Sequence, residues 1–259
     1  MKCKICKEKS KYIFNAKILN NHQIEYFKCS SCGFVQTQTP YWLEEAYNDA
    51  ISVSDTGVMV RNNSFAKTTS VIFSLLSKNN GSFLDYGAGY GIFTRLMRDK
   101  GFDFFWYDKY ATNLLSRGFE GDILDKKYEA ITSFENFEHF ENPMEDIEKI
   151  FSLTDTVLFS TELVPDITPN PNEWWYYCLE HGQHISLFSK KSLEYIASKH
   201  NYNLISNNSN LHILSKKKIS NKIFLVEKII KKLQLDKFFE QESKTNDDMY
   251  KMIEKMNNR

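Results

Sequence analysis

The chain has 259 residues, enough for one full α/β domain plus a small module. Lysine plus arginine equals aspartate plus glutamate at 33 each, a net charge of zero that argues against a nucleic-acid partner, which needs a basic excess. No apolar run approaches the ~20 residues of a transmembrane segment, and Met1-Lys2-Cys3-Lys4 leads into no apolar signal sequence, so the expected location is cytoplasmic.

Two cysteine knuckles come first: Cys3-x-x-Cys6 and Cys29-x-x-Cys32, with Gly33 after the second. Each C-x-x-C folds back so that both sulfurs face one ion, and two such turns complete a tetrahedral set. The gap of 22 residues is a little longer than the usual ribbon range. Four sulfurs leave no position for water, so the expected ion is a structural zinc bound by Cys3, Cys6, Cys29 and Cys32. Disulfides or a redox dithiol are the alternatives. Disulfides suit an exported chain, and a redox pair would sit near a βαβ unit rather than in front of one. Cys178 has no such partner and reads as a packed thiol. This zinc-ribbon-like module covers residues 1–40, with short strands such as Ile24-Glu25-Tyr26-Phe27.

Residues 41–80 read as a helical cap or linker. One helix begins after Pro40 with Tyr41-Trp42-Leu43, and a second carries Phe65, Val71, Ile72, Leu75 and Leu76 at helical spacing. The polar groups between them, Asp55-Thr56-Gly57 and Arg61-Asn62-Asn63, suit either a cap over a cofactor pocket or a plain surface connection.

Residues 81–215 form the next domain. Phe83-Leu84-Asp85-Tyr86-Gly87-Ala88-Gly89-Tyr90-Gly91, followed by Ile92-Phe93-Thr94-Arg95-Leu96-Met97, reads as strand, glycine turn and helix. Glycine lets the backbone turn tightly and approach a ligand that a Cβ would exclude, and the helix start adds unpaired N–H groups. About 20 residues on, Phe104-Phe105-Trp106-Tyr107 ends in Asp108, an acid suited to a ribose diol. A dinucleotide fingerprint has its third glycine three positions after the second; here it comes two positions after, and Asp85 would repel a pyrophosphate.

The pattern Asp85-x-Gly87-x-Gly89-x-Gly91 resembles motif I of the class I S-adenosylmethionine-dependent methyltransferases, and Asp108 stands at the acidic position of their motif II. That resemblance implies a Rossmann-like α/β fold, a seven-stranded sheet with helices on both faces. It implies S-adenosylmethionine bound by Asp85, Gly87, Gly89, Asp108 and Lys109, by Asp122 and Ile123 at the adenine, and by Phe134 at the end of the fourth strand, read as 128–134. The sequence places further strands at Leu84, Phe104, Ile131 and Val157-Leu158-Phe159, a helix before Gly121-Asp122-Ile123-Leu124, and two last strands over 202–215. Glu138-His139 with Pro143 is similar to an E-H-hydrophobic-x-x-P segment of one methyltransferase group; the pair reads as shaping the turn into a helix, with His139 as a base the alternative.

The acceptor signal follows the fifth strand. Pro165, Pro169 and Pro171 precede Glu173-Trp174-Trp175-Tyr176-Tyr177-Cys178-Leu179-Glu180-His181-Gly182-Gln183-His184. An aromatic floor with a few polar groups suits a sugar face or a base, and a histidine can take the proton of a hydroxyl as it is methylated. His181 and His184 are the candidates, with a structural role as the alternative for each. The segment running into Ile185-Ser186-Leu187-Phe188-Ser189 is similar to that of the zinc-module sugar C-methyltransferases, whose Tyr-x-Glu-His is here His181-Gly182-Gln183-His184, with Glu180-His181 and Tyr177 upstream as a second register. A histidine without those partners better suits O-methylation, with a rate that rises through pH 6–7.

The resemblance thus implies methylation of a sugar or sugar-nucleotide hydroxyl in bacterial surface polysaccharide synthesis, capsule or lipopolysaccharide. C-methylation of a keto-sugar, a phosphate-type or other small-molecule acceptor, and a non-catalytic cofactor-binding protein are the rival readings. Residues 216–259 form a helical extension. Ile223-Phe224-Leu225-Val226-x-x-Ile229-Ile230-x-x-Leu233 is amphipathic and has three readings: packing on the core, a homodimer contact, or a membrane surface. The polar tail Glu240–Arg259 carries only a weak methionine stripe and reads as partly mobile.

Overall fold

The structure is a computed structural model and describes residues 1–47 and 54–258. Residues 48–53 of the expected helical stretch, and Arg259 at the end of the extension, lie outside the described residues. The strands are β1 (Ser10–Ile18), β2 (His22–Cys29), β3 (Val35–Thr37), β4 (Ser82–Tyr86), β5 (Asp103–Tyr107), β6 (Ala130–Ser133), β7 (Thr156–Ser160), β8 (Ser186–Leu187), β9 (Asn203–Ser206) and β10 (Leu211–Ser215). The helices are α1 (Leu43–Ala46), α2 (Val58–Leu75), α3 (Ile92–Asp99), α4 (Pro143–Leu153), α5 (Lys190–Lys199), α6 (Ile223–Lys232) and α7 (Thr245–Asn257).

One sheet has the order β1-β2-β3-β8 and the other β5-β4-β6-β7-β10-β9. In the second, β4 pairs in parallel with β5 and β6, while β10 pairs antiparallel with β7 and β9. This is the expected α/β architecture, with a mixed sheet of six strands rather than seven. The missing strand is reduced to one parallel bridge, Trp106 to Glu120, made by Trp106 N–H to the Phe119 carbonyl and Gly121 N–H to the Trp106 carbonyl, both at 2.8 Å. The helix expected before Gly121 is absent too. Asn113 Oδ1 accepts from Ser116 N–H at 2.9 Å, and Ser116 Oγ donates to the Gly91 carbonyl at 2.9 Å. Such side-chain bonds offer the backbone an alternative to the helix ladder.

Two compact units divide the chain. The first joins Met1–Ser52 to Ser133–Ile219. Its β2 alternates as a half-buried strand should, with Ile24 and Tyr26 inside and Glu25 outside. The fourth strand of that sheet, β8, is only two residues long and pairs Val35 with Leu187 and Gln36 with Ser186. The sheet packs on the aromatic segment: Tyr26, Trp42, Tyr176, Tyr177 and Ile185 share one buried cluster. Trp42 Nε1–H donates to the Gly182 carbonyl at 2.7 Å, and Leu19 N–H to the Leu179 carbonyl at 3.0 Å. Strands β7 and β10 are buried at every position, with Val157, Leu158 and Phe159 in one and Leu211, Ile213 and Leu214 in the other.

The second unit joins Val53–Thr132 to Ser220–Arg259. Phe73 of α2 packs on Phe83 of β4 at 5.1 Å between ring centroids, and Phe83 on Phe104 of β5 at 5.3 Å. Arg61 forms a bidentate pair with Asp55 at 2.7 and 3.1 Å, so these two polar groups hold each other at the start of α2. Helix α6 turns Ile223, Phe224 and Glu227 inward, and Thr68 Oγ1 of α2 donates to Glu227 at 2.7 Å. Of its three readings, packing within its own unit is what the structure contains. The tail expected to be mobile contains α7, held by a buried fork: Arg98 Nε and Nη2 donate to Asp248 Oδ2 and Oδ1 at 2.7 and 2.6 Å.

Candidate functional site

The glycine turn of the second unit is built as its sequence demands. Gly87, Gly89 and Gly91 all have left-handed φ, at 81°, 54° and 86°. A Cβ on Gly91 would meet Asn113 and Ser116 at 3.0–3.2 Å, so that glycine serves packing. A Cβ on Gly89 would meet nothing within 4 Å, so the turn opens there onto space that a ligand can enter. Gly87 and Ala88 N–H both bond the Tyr107 carbonyl, at 2.8 and 3.0 Å, tying the turn to the end of β5.

Two acids flank the turn. Asp108 Oδ2 accepts from Gly89 N–H at 2.9 Å, and Oδ1 accepts from Tyr110 and Ala111 N–H at 2.8 and 2.7 Å. Asp85 is buried at the end of β4, where it accepts from Thr94 Oγ1 at 3.0 Å and Thr132 Oγ1 at 3.2 Å. Burial pushes its carboxyl up to about 7 against the pull of those hydroxyls, and the Asp108 charge adds to the rise. Lys109 is exposed, with its ammonium 5.0 Å from the Tyr110 ring centre. Asp122 is exposed as well, and its Oδ1 accepts from Leu124 and Asp125 N–H at 2.8 and 3.2 Å, which holds its carboxyl below the usual range. Ile123 beside it is half-buried.

The first unit holds Phe134, half-buried just after β6, and the acceptor candidates. The aromatic floor is only partly there: Tyr176 and Tyr177 point into the core, while Trp175 stays 71% exposed. His184 Nδ1 donates to the Tyr176 carbonyl at 2.6 Å, which leaves its lone pair on Nε2. Desolvation pulls its pKa down to about 4, so the ring is neutral at physiological pH. His181 stands on the turn after Cys178, its N–H bonding the Cys178 carbonyl at 3.1 Å. His184 has different company: Glu138, His139 and His184 bring one ligand atom each within 4.8 Å of one another. Glu138 and His139, read from the sequence as shaping a turn, thus belong to a side-chain cluster. A hint was available, since they follow the carboxyl end of a parallel strand, where ligands of open α/β sheets bind.

The four knuckle cysteines converge in the same unit, with all Sγ atoms within 4.8 Å. Cys3 Sγ lies 3.6 Å from Cys32 Sγ, and Cys6 Sγ 3.4 Å from Cys29 Sγ. A zinc with ~2.3 Å bonds spaces its sulfurs ~3.8 Å apart, so the free thiols already match a tetrahedral set. Gly33 has φ 74° and lies against Ser189, whose hydroxyl donates to the Cys32 carbonyl at 2.6 Å.

Among known proteins, a family model described as "Methyltransferase domain" matches residues 61–207. Solved structures of similar fold include magnesium protoporphyrin IX methyltransferase (ChlM) from Synechocystis PCC 6803 with bound SAH. It is 15% identical with a TM-score of 0.42, over 66% of this chain and 90% of that one. The plantazolicin methyltransferase BpumL, in complex with a monoazolic desmethylPZN analog and SAH, is 13% identical with a TM-score of 0.46, over 68% of this chain and 93% of that one. The glycopeptide N-methyltransferase MtfA is 10% identical with a TM-score of 0.40, over 57% of this chain and 89% of that one. These likenesses concern the fold alone, and no curated protein matches. Among the described residues no helix is long and apolar enough to cross a membrane. With more than half of its residues matched, the chain belongs to the methyltransferase-domain family and is an S-adenosylmethionine-dependent methyltransferase.

Proposed function

We propose that this enzyme methylates a hydroxyl of a sugar or nucleotide-linked sugar in the bacterial cytoplasm, as a step in making surface polysaccharide. The sulfonium methyl is lost from S-adenosylmethionine as the C–S bond breaks and its electron pair stays on sulfur. A C–O bond forms on the acceptor, and the hydroxyl proton goes to a base. Asp108 and the Gly87–Gly89 backbone hold the cofactor, with Asp85 nearest its cationic amino-acid end, Asp122 and Ile123 at the adenine, and Lys109 and Phe134 at the edges. A structural zinc on Cys3, Cys6, Cys29 and Cys32 holds the N-terminal sheet.

The observation that carries the hydroxyl reading is His184, a neutral imidazole with Nδ1–H pinned to a carbonyl and Nε2 left as acceptor. A carbon acid would require the stronger base of the Tyr-Glu-His constellation. Here Tyr177 donates its hydroxyl to the Pro169 carbonyl at 2.9 Å, and Glu180 is exposed. Neither supports the histidine. His181 is the second candidate base. The exposed Leu225 and Ile229 of α6, with Leu233 just after it, keep a homodimer contact within this reading.

The test is an acceptor screen with labelled methyl donor, followed by His184→Asn and His181→Asn on the best acceptor. Loss of a general base lowers turnover by ~10²–10⁴-fold while cofactor affinity stays. With His184 at about 4, the rate should reach its plateau above about pH 5 rather than climb through pH 6–7. Wild-type turnover in both single variants and the double variant would refute the base.

A further inference from the structure

Glu138 is fully buried, and no hydrogen bond of regular geometry reaches either carboxylate oxygen. The Tyr176 and Thr161 hydroxyls, 3.1 Å from each other, lie near enough to favour its charge a little. Burial, and then the charge of Glu135, outweigh them and push its carboxyl well above the usual range. A buried carboxylate left this way is costly unless it is protonated or meets a cation. The basic groups gathered around it are imidazoles, and His139 Nε2 stands 4.0 Å from Glu138 Oε1.

Each imidazole has its Nδ1 fixed by a hydrogen bond, as metal-binding imidazoles have one nitrogen fixed by an outer partner. Nδ1 of His139 is 2.9 Å from the Tyr47 hydroxyl, leaving Nε2 towards Glu138. Nδ1 of His184 is fixed by the Tyr176 carbonyl. The two rings stand 5.0 Å apart between centroids. The segments that carry them are clamped together: Ile185 N–H donates to the Glu138 carbonyl at 3.0 Å, and Ser186 Oγ to the Phe140 carbonyl at 2.6 Å. Ligand bonds of ~2.0–2.2 Å bring ligand atoms ~3.0–3.5 Å apart. The ligand atoms now lie within 4.8 Å of one another, so binding would draw them closer by at most about 1.3–1.8 Å.

The geometry points to a divalent-cation site in which Glu138, His139 and His184 bind one first-row ion, leaving open positions for oxygen ligands. Two nitrogens and one carboxylate suit Mn²⁺, Fe²⁺ or Zn²⁺, and the ion supplies the positive charge that Glu138 lacks. What the ion then does rests on the hydroxyl-acceptor reading above. An acceptor hydroxyl coordinated to it loses its proton to solvent water more easily. The oxygen electron pair then forms the C–O bond while the methyl C–S pair returns to sulfur. In that state Nε2 of His184 is a ligand, and the ion takes over the task of the free imidazole.

Mn²⁺ is the probe, because a hard ion does not displace zinc from four thiolates. Full-length protein with its zinc is titrated with Mn²⁺, and the loss of the free-ion paramagnetic resonance signal is read. One saturable Mn²⁺ per chain is expected, weakened at least about tenfold in Glu138→Gln and in His184→Asn, with circular dichroism confirming that each variant folds. Glu138→Gln removes the charge and keeps the shape, and either variant suffices if the other fails to fold. No saturable binding, or equal binding in the folded variants, overturns the site. Binding that follows these variants, with methyl transfer indifferent to Mn²⁺, keeps the site and overturns its role on the acceptor. Binding without methylation of any hydroxyl acceptor keeps the site and refutes the hydroxyl reading instead.

Discussion

Asp85→Asn should stabilise the ligand-free protein and weaken cofactor binding together. Asp85 is 3% exposed, and its carboxyl is raised from 3.8 to about 7, chiefly by burial. At about 1.36 kcal/mol per pKa unit, the charged carboxylate costs at most about 4 kcal/mol of folding free energy above pH 8. The sign follows from linkage: a carboxyl whose folded value is raised favours folding below about pH 4, and that contribution is lost as pH rises through about 7. Asparagine fits the same place. Its carbonyl can accept from Thr94 Oγ1, and its amide can donate to Thr132 Oγ1, the two groups that Asp85 now bonds. Melting curves of wild type and variant from pH 5 to pH 8.5 measure the effect. The variant should gain stability at pH 8, on the order of 5 °C in Tm, and the gain should shrink towards pH 5. A gain of equal size at all pH values, or a loss at pH 8, would refute burial as the cause. Calorimetry on the same samples should show weaker S-adenosylmethionine binding if, as proposed, Asp85 lies nearest the cofactor's cationic amino-acid end.

Two further outcomes follow from the packing. Protein purified without chelator should carry one zinc per chain by elemental analysis, and Cys29→Ser should release it and unfold the N-terminal sheet; zinc-free wild type would contradict the match of the sulfurs. Asp248→Ala should cost about 1.5–3 kcal/mol, because Arg98, 3% exposed, would lose its bidentate partner and keep only Asp103 at 2.8 Å as a counter-charge; a melting temperature within 2 °C of wild type would show that α7 contributes little.

The glycine turn was legible because backbone geometry there admits few residues: left-handed φ at Gly87, Gly89 and Gly91 leaves glycine as the ready choice. The knuckles were legible because their ligands come in pairs. The last two strands, read over 202–215, formed as β9 and β10. What escaped the sequence depends on partners distant along the chain. β8 has two residues and no periodicity of its own, yet it completes the cysteine-bearing sheet through Val35 and Gln36. The bonds from Ile185 and Ser186 to the Glu138 and Phe140 carbonyls bring His184 beside Glu138-His139, some 45 residues upstream, which no local pattern announces. The expected seventh strand shrank to Glu120 because Asn113 and Ser116 hold the preceding chain in turns. The polar tail looked mobile because its anchor, Asp248, is a charge, and its burial makes sense only once Arg98 is in place.

The central claim is that the turn from Asp85 to Gly91, with Asp108, holds S-adenosylmethionine. Isothermal titration with S-adenosylhomocysteine, on wild type and Asp108→Ala, tests it most directly. Wild type should bind one equivalent in the micromolar range, about −8 kcal/mol, and Asp108→Ala should lose at least about 2 kcal/mol, the scale of a hydrogen bond to a charged group. Undiminished binding in the variant, or tighter binding of a nicotinamide dinucleotide by wild type, would contradict it.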